Sequence, residues 1–342
     1  MSSTGDGLLR ISTALHNCRE GRLTPVRTVT PEWMREVARE ADRLGYYSLW
    51  LNEFLDTDPK VRAASDVTPY YYDALVTIAD AAARTERIRF LTSTLVLPLH
   101  HPLLLARQLA TLDAFTNGRV SLGIGLGGTP EEFKRLRGEL TKVHRGRMMD
   151  EYVEAIRALL EHDKASFEGT YASFRDVEIA PRPVQRRLPI FMAGHAAGVF
   201  QRLAAHGDGW IDSSTAPDEI AATIGRIGEL RSSMGRDGAV EVARQFYVAI
   251  GRTEAEAEEI ADSTDTGADK AARARLTGVD RTLIGTPDAI AGRIADYVAA
   301  GVTEVCAIFF ASTASDVVRQ MTLFAEEVTP RLRSGIRTVT EG

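Results

Sequence analysis

The chain is predicted to fold as an α/β protein, a (β/α)8 TIM barrel with insertions in the βα loops. Three observations predict it. Short apolar runs alternate with helical stretches along the whole chain, the pattern of a parallel sheet covered by helices. Eight strand–helix units can be read. The 342 residues exceed the roughly 250 that a barrel needs, which leaves length for insertions. The alternative is a doubly wound open sheet, which usually has fewer strands. The chain, 1–342, is read as one domain with a helical insertion at 258–282, rich in Ala, Asp, Thr and Arg.

The elements follow in order. Ile11 to Leu15, within an apolar segment from Leu8, is the first strand. Thr30-Pro31 reads as a helix N-cap with Pro at the first helical position, and Leu44-Gly45 as the stop. Tyr46 to Leu51 is strand two; a long loop over 53–69 and a helix from Ala74 to Arg84 follow. Ile88 to Leu97 is strand three, ended by Pro98, and His101-Pro102 opens the next helix. Arg119 to Ile124 is strand four. Thr129-Pro130 starts a helix in which Glu132 stands at the N3 place of a capping box. Residues 144–162 form the clearest amphipathic helix, with Met149, Tyr152, Val153, Ile156, Leu159 and Leu160 on one stripe. Leu188 to Ala193 is strand five, Gly207 to Ile211 holds strand six, Val242 to Ile250 strand seven and Val305 to Phe310 strand eight. Thr253-x-x-Glu256 is a second capping box, Thr286-Pro287 starts a helix ending near Gly301, and a last helix covers 315–330.

Composition narrows the function. The net charge is -6, with 41 basic and 47 acidic residues and no Lys/Arg block, so no nucleic-acid partner is expected. No apolar run reaches the roughly 18 residues of a membrane span. Met1 to Gly7 is polar and lacks the pattern of a signal peptide. Cys18 and Cys306 are the only cysteines; they suit a reducing compartment, and the cytoplasm is the expected location. The seven histidines show no zinc spacing and no G-x-S-x-G elbow occurs, so neither a metal site nor hydrolase chemistry is expected.

Barrel sites lie at the C-terminal ends of the strands, which selects the residues to consider. Gly123, Gly125 and Gly128 match G-x-G-x-x-G, but strands precede them and no acid-ending strand follows, so the context of a dinucleotide fingerprint is missing. The glycines, with Gly127 among them, read instead as a flat floor at a strand's mouth. Strand two ends in Asn52-Glu53, where a carboxylate can orient a ligand or move protons; a solvated loop acid is the other reading. Thr92, Ser93 and Thr94 are hydroxyl residues inside an apolar strand and can bond a heterocycle's edge or a backbone carbonyl. Gly194, His195, Ala196 and Ala197 open a helix after strand five, where free N–H groups can bind a phosphate or where the chain makes a tight turn. His16, just after strand one, is the catalytic histidine candidate, whereas His100 and His101 are read as shaping a loop before Pro102.

Together these runs resemble the luciferase-like monooxygenase superfamily of flavin and deazaflavin enzymes. The resemblance rests on Ile88-Arg89-Phe90 with Thr92, Leu97 to Pro102, Leu109 to Asp113, Gly118 to Gly125, Arg145-Gly146-Arg147 with Asp150-Glu151, Pro189 to His195 and Asp208-Gly209-Trp210. Tyr71-Tyr72-Asp73 and Gly194-His195 look most like the actinobacterial branch of F420-dependent oxidoreductases. The resemblance implies a cofactor ring at the C-terminal mouth, a non-prolyl peptide, often cis, at Ser93–Thr94, a phosphate at Gly194 to Ala197, and Glu53 as the acid after strand two. Relatives often follow that acid with histidines; Phe54-Leu55 stand here, and the proton donor is left unassigned. The implied function is hydride transfer between coenzyme F420 and a small organic substrate. The alternatives are an FMN-dependent monooxygenase fed by a separate reductase and a non-catalytic barrel that lost its cofactor. The resemblance also implies a homodimer.

Overall fold

The computed structural model describes residues 9–128, 130–264 and 281–340. Its elements are β1 (Arg10–Ala14), α1 (Pro31–Arg43), β2 (Ser48–Leu51), α2 (Pro59–Ala64), α3 (Ala74–Ala82), β3 (Arg89–Thr92), β4 (Leu95–Val96), α4 (Pro102–Thr116) and β5 (Val120–Gly125). Then come α5 (Pro130–Leu136), α6 (Arg145–Glu161), β6 (Ala165–Glu168), β7 (Ser173–Val177), β8 (Ile190–Ala193), α7 (Ala197–His206), β9 (Gly209–Asp212), α8 (Pro217–Ser233) and β10 (Glu241–Ile250). The last are α9 (Glu254–Ser263), β11 (Thr282–Gly285), α10 (Pro287–Ala299), β12 (Glu304–Phe309), α11 (Ala314–Leu323) and α12 (Thr329–Thr340).

The strands β1, β2, β3, β5, β8, β9, β10 and β12 pair in that circular order, all parallel, and β12 returns to β1. This closes the expected eight-stranded (β/α)8 barrel. Side chains alternate across its wall. Ala14, Trp50, Leu91, Phe191, Ile211, Ala243, Cys306 and Ile308 fill the inside, while Leu49, Phe90, Leu122, Ile190, Val242 and Val305 pack outward on the helices.

Several caps form as the sequence specifies. The Thr30 hydroxyl accepts from Trp33 N at 3.2 Å, with Pro31 opening α1. Thr253 caps α9 through Glu256 N at 3.2 Å, though the Glu256 carboxylate accepts from Arg252 N rather than from the cap residue. The start signal at Thr129 lies outside the described residues, as does most of the proposed insertion. Of residues 258–282, the first part completes α9 and Thr282 begins β11, which extends the sheet on β10 (Tyr247↔Thr282).

Four features depart from the element-by-element expectation. The loop 53–69 contains the short helix α2, capped by Asp58. Strand three is not continuous but splits into β3 and β4 around Ser93–Thr94, whose peptide bond is cis. β6 and β7 form an antiparallel hairpin between α6 and β8, stacked through Phe167 and Phe174 at 5.9 Å. Helix α8 connects β9 to β10.

Buried charge ties the wall to the helices. Arg244 on β10 and Asp212 on β9 are both fully buried and form an ion pair. The guanidinium also donates to Thr215 O at 2.9 Å and lies 4.4 Å from the Tyr297 ring centroid on α10. Breaking such a pair leaves a buried charge without compensation, at a cost of about 3–5 kcal/mol. Arg244→Ala is therefore expected to lower unfolding stability by that amount in urea denaturation; a loss below about 1 kcal/mol would show that the pair contributes little.

Candidate active site

The loops that follow the strands gather at the C-terminal mouth. After β2, Asn52 and Glu53 are held below the rim. The Glu53 carboxylate accepts from Val96 N at 2.8 Å, and His100 Nε2 lies 2.8 Å from its Oε1 and 3.1 Å from its Oε2. An ionised carboxylate only accepts, so His100 carries its proton on Nε2. The Glu53 side chain is 4% exposed and that of His100 18%, so the imidazole is the pair's contact with solvent. Asn17 Nδ2 donates to Asn52 O at 2.7 Å and to Tyr72 O at 3.0 Å, fixing the end of β2 against β1. Asn52 Nδ2 donates to Cys18 O at 3.4 Å, while its buried Oδ1 has no partner.

The three hydroxyls of strand three divide. Thr92 is fully buried; its hydroxyl donates to Gly123 O and accepts from Gly123 N, both at 2.8 Å, and so stitches β3 to β5. Ser93 and Thr94 are half-buried at the mouth, and their hydroxyls bond none of the described residues. The glycines do not form one open floor. A Cβ on Gly123 would stand 1.9 Å from Thr92 O and 2.9 Å from Ile211 Cδ1, so protein atoms occupy that space. On Gly125 it would meet the Thr94 hydroxyl at 2.8 Å. Gly127 has φ +79°, and its Cβ would run into Val96 and Phe133. These glycines let β5 press against β3 and β4.

Next to β5, after β8, α7 begins at Ala197 with Ala196 as an N-cap that offers no side-chain acceptor. Residues 195–198 are exposed, so N–H groups of its first turn face solvent with the positive end of the helix dipole. Gly194 takes φ +126°, a backbone that favours glycine, and its carbonyl accepts from Trp210 Nε1 at 3.0 Å. His195 is placed by a chain of bonds. The Thr215 hydroxyl donates to Asp212 at 2.7 Å, so its oxygen accepts from His195 Nδ1 at 3.1 Å, and Nε2 then accepts from Ser214 Oγ at 2.9 Å. The buried Arg244–Asp212 pair thus orients a histidine beside the α7 N-terminus.

His16 lies apart from this surface. It is fully buried, with Nε2 at 2.8 Å from Phe309 O and its ring 5.8 Å from that of Trp33; Nδ1 has no partner. Burial drives its pKa down to about 4, against the opposing hydrogen bond to Phe309. The structure therefore joins Asn52, Glu53, Ser93, Thr94 and Gly125 along one arc of the mouth, sets Gly194 to Ala197 beside the β5 end of that arc, and leaves His16 beneath. His100, read from sequence as a loop former, brings an imidazole to Glu53 from the loop before α4. Its signal was a histidine one strand further on, visible only once the strands are paired.

The residues fit a flavin-like group. Asn52 Oδ1 and the Ser93 and Thr94 hydroxyls are polar groups without protein partners among the described residues, suited to the polar edge of a ring, and the uncapped α7 turn suits a phosphate. The other end of the barrel does not fit. A cleft there encloses only about 50 Å³, lined by Tyr47, Arg89, Glu241 and Glu304 among others. Glu304 is already satisfied by Ser12, Ser48 and Trp50 at 2.6–3.0 Å, and burial pushes its pKa up. Among the described residues no cluster of His, Cys, Asp or Glu could hold a metal, and no helix is long and apolar enough to cross a membrane.

The luciferase-like monooxygenase family model matches residues 13–304, and the chain belongs to that family. An uncharacterized protein of Mycobacterium tuberculosis is 30% identical over 288 residues, 80% of this chain and 93% of its own. The FMNH2-dependent dimethylsulfone monooxygenase of Pseudomonas putida is 27% identical over 231 residues, 66% of this chain and 60% of its own. An F420-dependent secondary alcohol dehydrogenase, solved with an F420–acetone adduct, superposes with a TM-score of 0.76 at 18% identity, covering 95% of this chain and 99% of that one. The family supports an enzyme of flavin or deazaflavin oxidoreductase type.

The buried His16 generates a pH prediction. Because its pKa is lowered in the folded state, the unfolded chain takes up the proton first as pH falls below about 6.5, and stability is lost. Between that pH and about 4 this group alone contributes a slope of about 1.4 kcal/mol per pH unit. Denaturant unfolding from pH 7 to pH 5 is expected to show a shallower decline for His16→Gln than for the native protein; equal slopes would refute the assignment.

Proposed function

We propose that this protein is a coenzyme F420-dependent oxidoreductase that transfers a hydride between the deazaflavin and a small organic substrate. The observation that carries the reading is the Glu53–His100 pair at the mouth. Interconverting a carbonyl and an alcohol moves a proton as well as a hydride, and with Nε2–H donated to Glu53 the ring can take up and release one at His100 Nδ1. The Gly194 to Ala197 backbone and His195 would hold the cofactor phosphate, and Asn52, Ser93 and Thr94 the polar edge of the ring. When bound, the deazaflavin supplies the hydride acceptor or donor. The protein's part is to orient both partners, exclude water and manage the proton.

A second reading, an FMN-dependent monooxygenase supplied with reduced flavin by a separate reductase, is favoured by the relation to the dimethylsulfone enzyme. Fluorescence titration with F420 and, in parallel, FMN separates the two. Micromolar binding of F420 without oxygen consumption is the expected result. FMN binding alone, with oxygen uptake when reduced FMN and substrate are added, would replace the first reading with the second; binding of neither would favour the non-catalytic barrel. Glu53→Gln and His100→Gln are expected to lower kcat about 100-fold or more while leaving cofactor Kd within about threefold.

We also propose a homodimer. Val76 on α3 and Leu104 and Phe115 on α4, helices that pack side by side, are 70%, 57% and 75% exposed. A second copy would cover them. Sedimentation is expected to give twice the 37.4 kDa chain mass, and Phe115→Glu a monomer; a native monomer would contradict this.

A further inference from the structure

Arg19 stands in the turn just after β1 and is 4% exposed. Its Nε and Nη2 are both buried and have no hydrogen-bond partner. Among the described residues it has no ion-pair partner either. The acids nearby are engaged elsewhere. Glu20 accepts from four backbone groups, Arg27 N, Thr28 N, Val29 N and Tyr70 N, at 2.6–2.9 Å. Asp58 pairs with Arg22, and Glu53 is held by Val96 and His100. What Arg19 does face is Tyr247 on β10, with its guanidinium carbon 5.9 Å from the ring centroid, while Arg281 lies 5.5 Å from the same ring. Burial would push the Tyr247 phenol up, but Arg19, Arg281 and Arg22 outweigh it and bring it below the ordinary tyrosine value. Two guanidinium groups, those of Arg19 and Arg281, thus face one tyrosine ring at this part of the barrel.

A buried guanidinium with an unpartnered edge is costly unless an anion completes it. Nε and Nη2 form one edge of the guanidinium, two parallel donors that match the two oxygens of a carboxylate. We propose that the enzyme's substrate carries a carboxylate, which seats on the Nε–Nη2 edge of Arg19 beside Tyr247. The assignment rests on the oxidoreductase reading given above and adds the substrate class. The cofactor phosphate has its own place at α7, after β8, and β8 is the fourth neighbour of β1 in either direction round the barrel. The two anions would thus enter from opposite sides of the mouth.

The test uses the full chain and a panel of acetate, benzoate, 3-phenylpropionate and octanoate, each with its uncharged amide, and inorganic phosphate as a further probe. Calorimetric Kd and thermal shift are read for the native protein, Arg19→Met and Arg19→Lys. At least one carboxylate is expected to bind about tenfold or more tightly than its amide. That preference is expected to vanish in Arg19→Met and to return in part in Arg19→Lys, with phosphate protection unchanged in both. Should Arg19→Met fail to fold, the Arg19→Lys protein must still show a reduced carboxylate-to-amide ratio. The proposal is overturned if no carboxylate binds better than its amide or if the preference survives in the variants. It is also overturned if phosphate protection is what Arg19→Met removes, since Arg19 would then hold the cofactor. F420 and FMN titrations of the same proteins are scored separately: absent cofactor binding counts against the oxidoreductase reading, whereas the carboxylate-to-amide ratio judges Arg19 alone.

Discussion

The contact on which the mouth depends is the seam between β3 and β5. It exists because residue 123 has no side chain: any Cβ would lie 1.9 Å from Thr92 O, far inside van der Waals contact. The Thr92 hydroxyl then bonds both backbone groups of Gly123 in a fully buried setting. Beyond this seam the chain leaves the ladder at Ser93–Thr94 and rejoins it as β4, with Leu95 opposite Ile124 and Val96 opposite Gly125. That detour raises two hydroxyls at the mouth and turns Val96 N toward Glu53. The placement of Val96 N against the acid and of the two hydroxyls at the mouth follows from one glycine and one threonine.

Charge placement forms a second layer of the same design. The barrel buries several ionised or ionisable groups, and nearly all are satisfied locally. Glu304 takes three donors at the floor, Glu20 takes four backbone N–H groups in the loop after β1, and Arg244 is matched by Asp212. Each arrangement fixes something: the strand register at the base, the path of the first loop, and through Thr215 the orientation of His195. Against that background the unpartnered edge of Arg19 differs in kind, because among the described residues the acids around it are already held by other donors.

Strands and long helices were legible because burial on both faces writes continuous apolar runs, as in Val120 to Gly125 and Val305 to Phe310, and because Thr-Pro pairs mark helix starts. The misses share a cause. β6 and β7 lie outside the barrel wall and are mostly exposed, so residues such as Ser166, Arg175 and Asp176 carry no burial signal. β11 has only four residues and is specified by pairing with β10 rather than by its own pattern. The break in strand three is equally silent, because Thr92, Ser93 and Thr94 read as one polar interruption while their environments differ sharply. In the site, Asn52 and Glu53 were legible from their place at a strand end. His100 was not, since it meets Glu53 across 47 residues. Arg19 was passed over because strand-end reasoning stopped at His16, three residues earlier, and only the fold shows which of the two faces Tyr247.

On the proposed reading, the two anchors differ in a way that bears on selectivity. The α7 terminus offers backbone N–H groups and a partial charge of about half a unit, which suits a tetrahedral, multiply charged phosphate and tolerates rotation about its axis. Arg19 offers a rigid planar fork, which suits a planar anion and resists rotation. A cofactor held loosely in azimuth and a substrate held firmly would still meet in one orientation, provided the ring is edged by Asn52, Ser93 and Thr94. Glu53 follows β2, next to β1, and His100 reaches it from the loop before α4, which puts the pair's acid on the substrate's side of the mouth rather than the phosphate's. A proton donor is useful only where the substrate's reacting oxygen lies, so the placement of this pair and that of Arg19 point to the same half of the barrel.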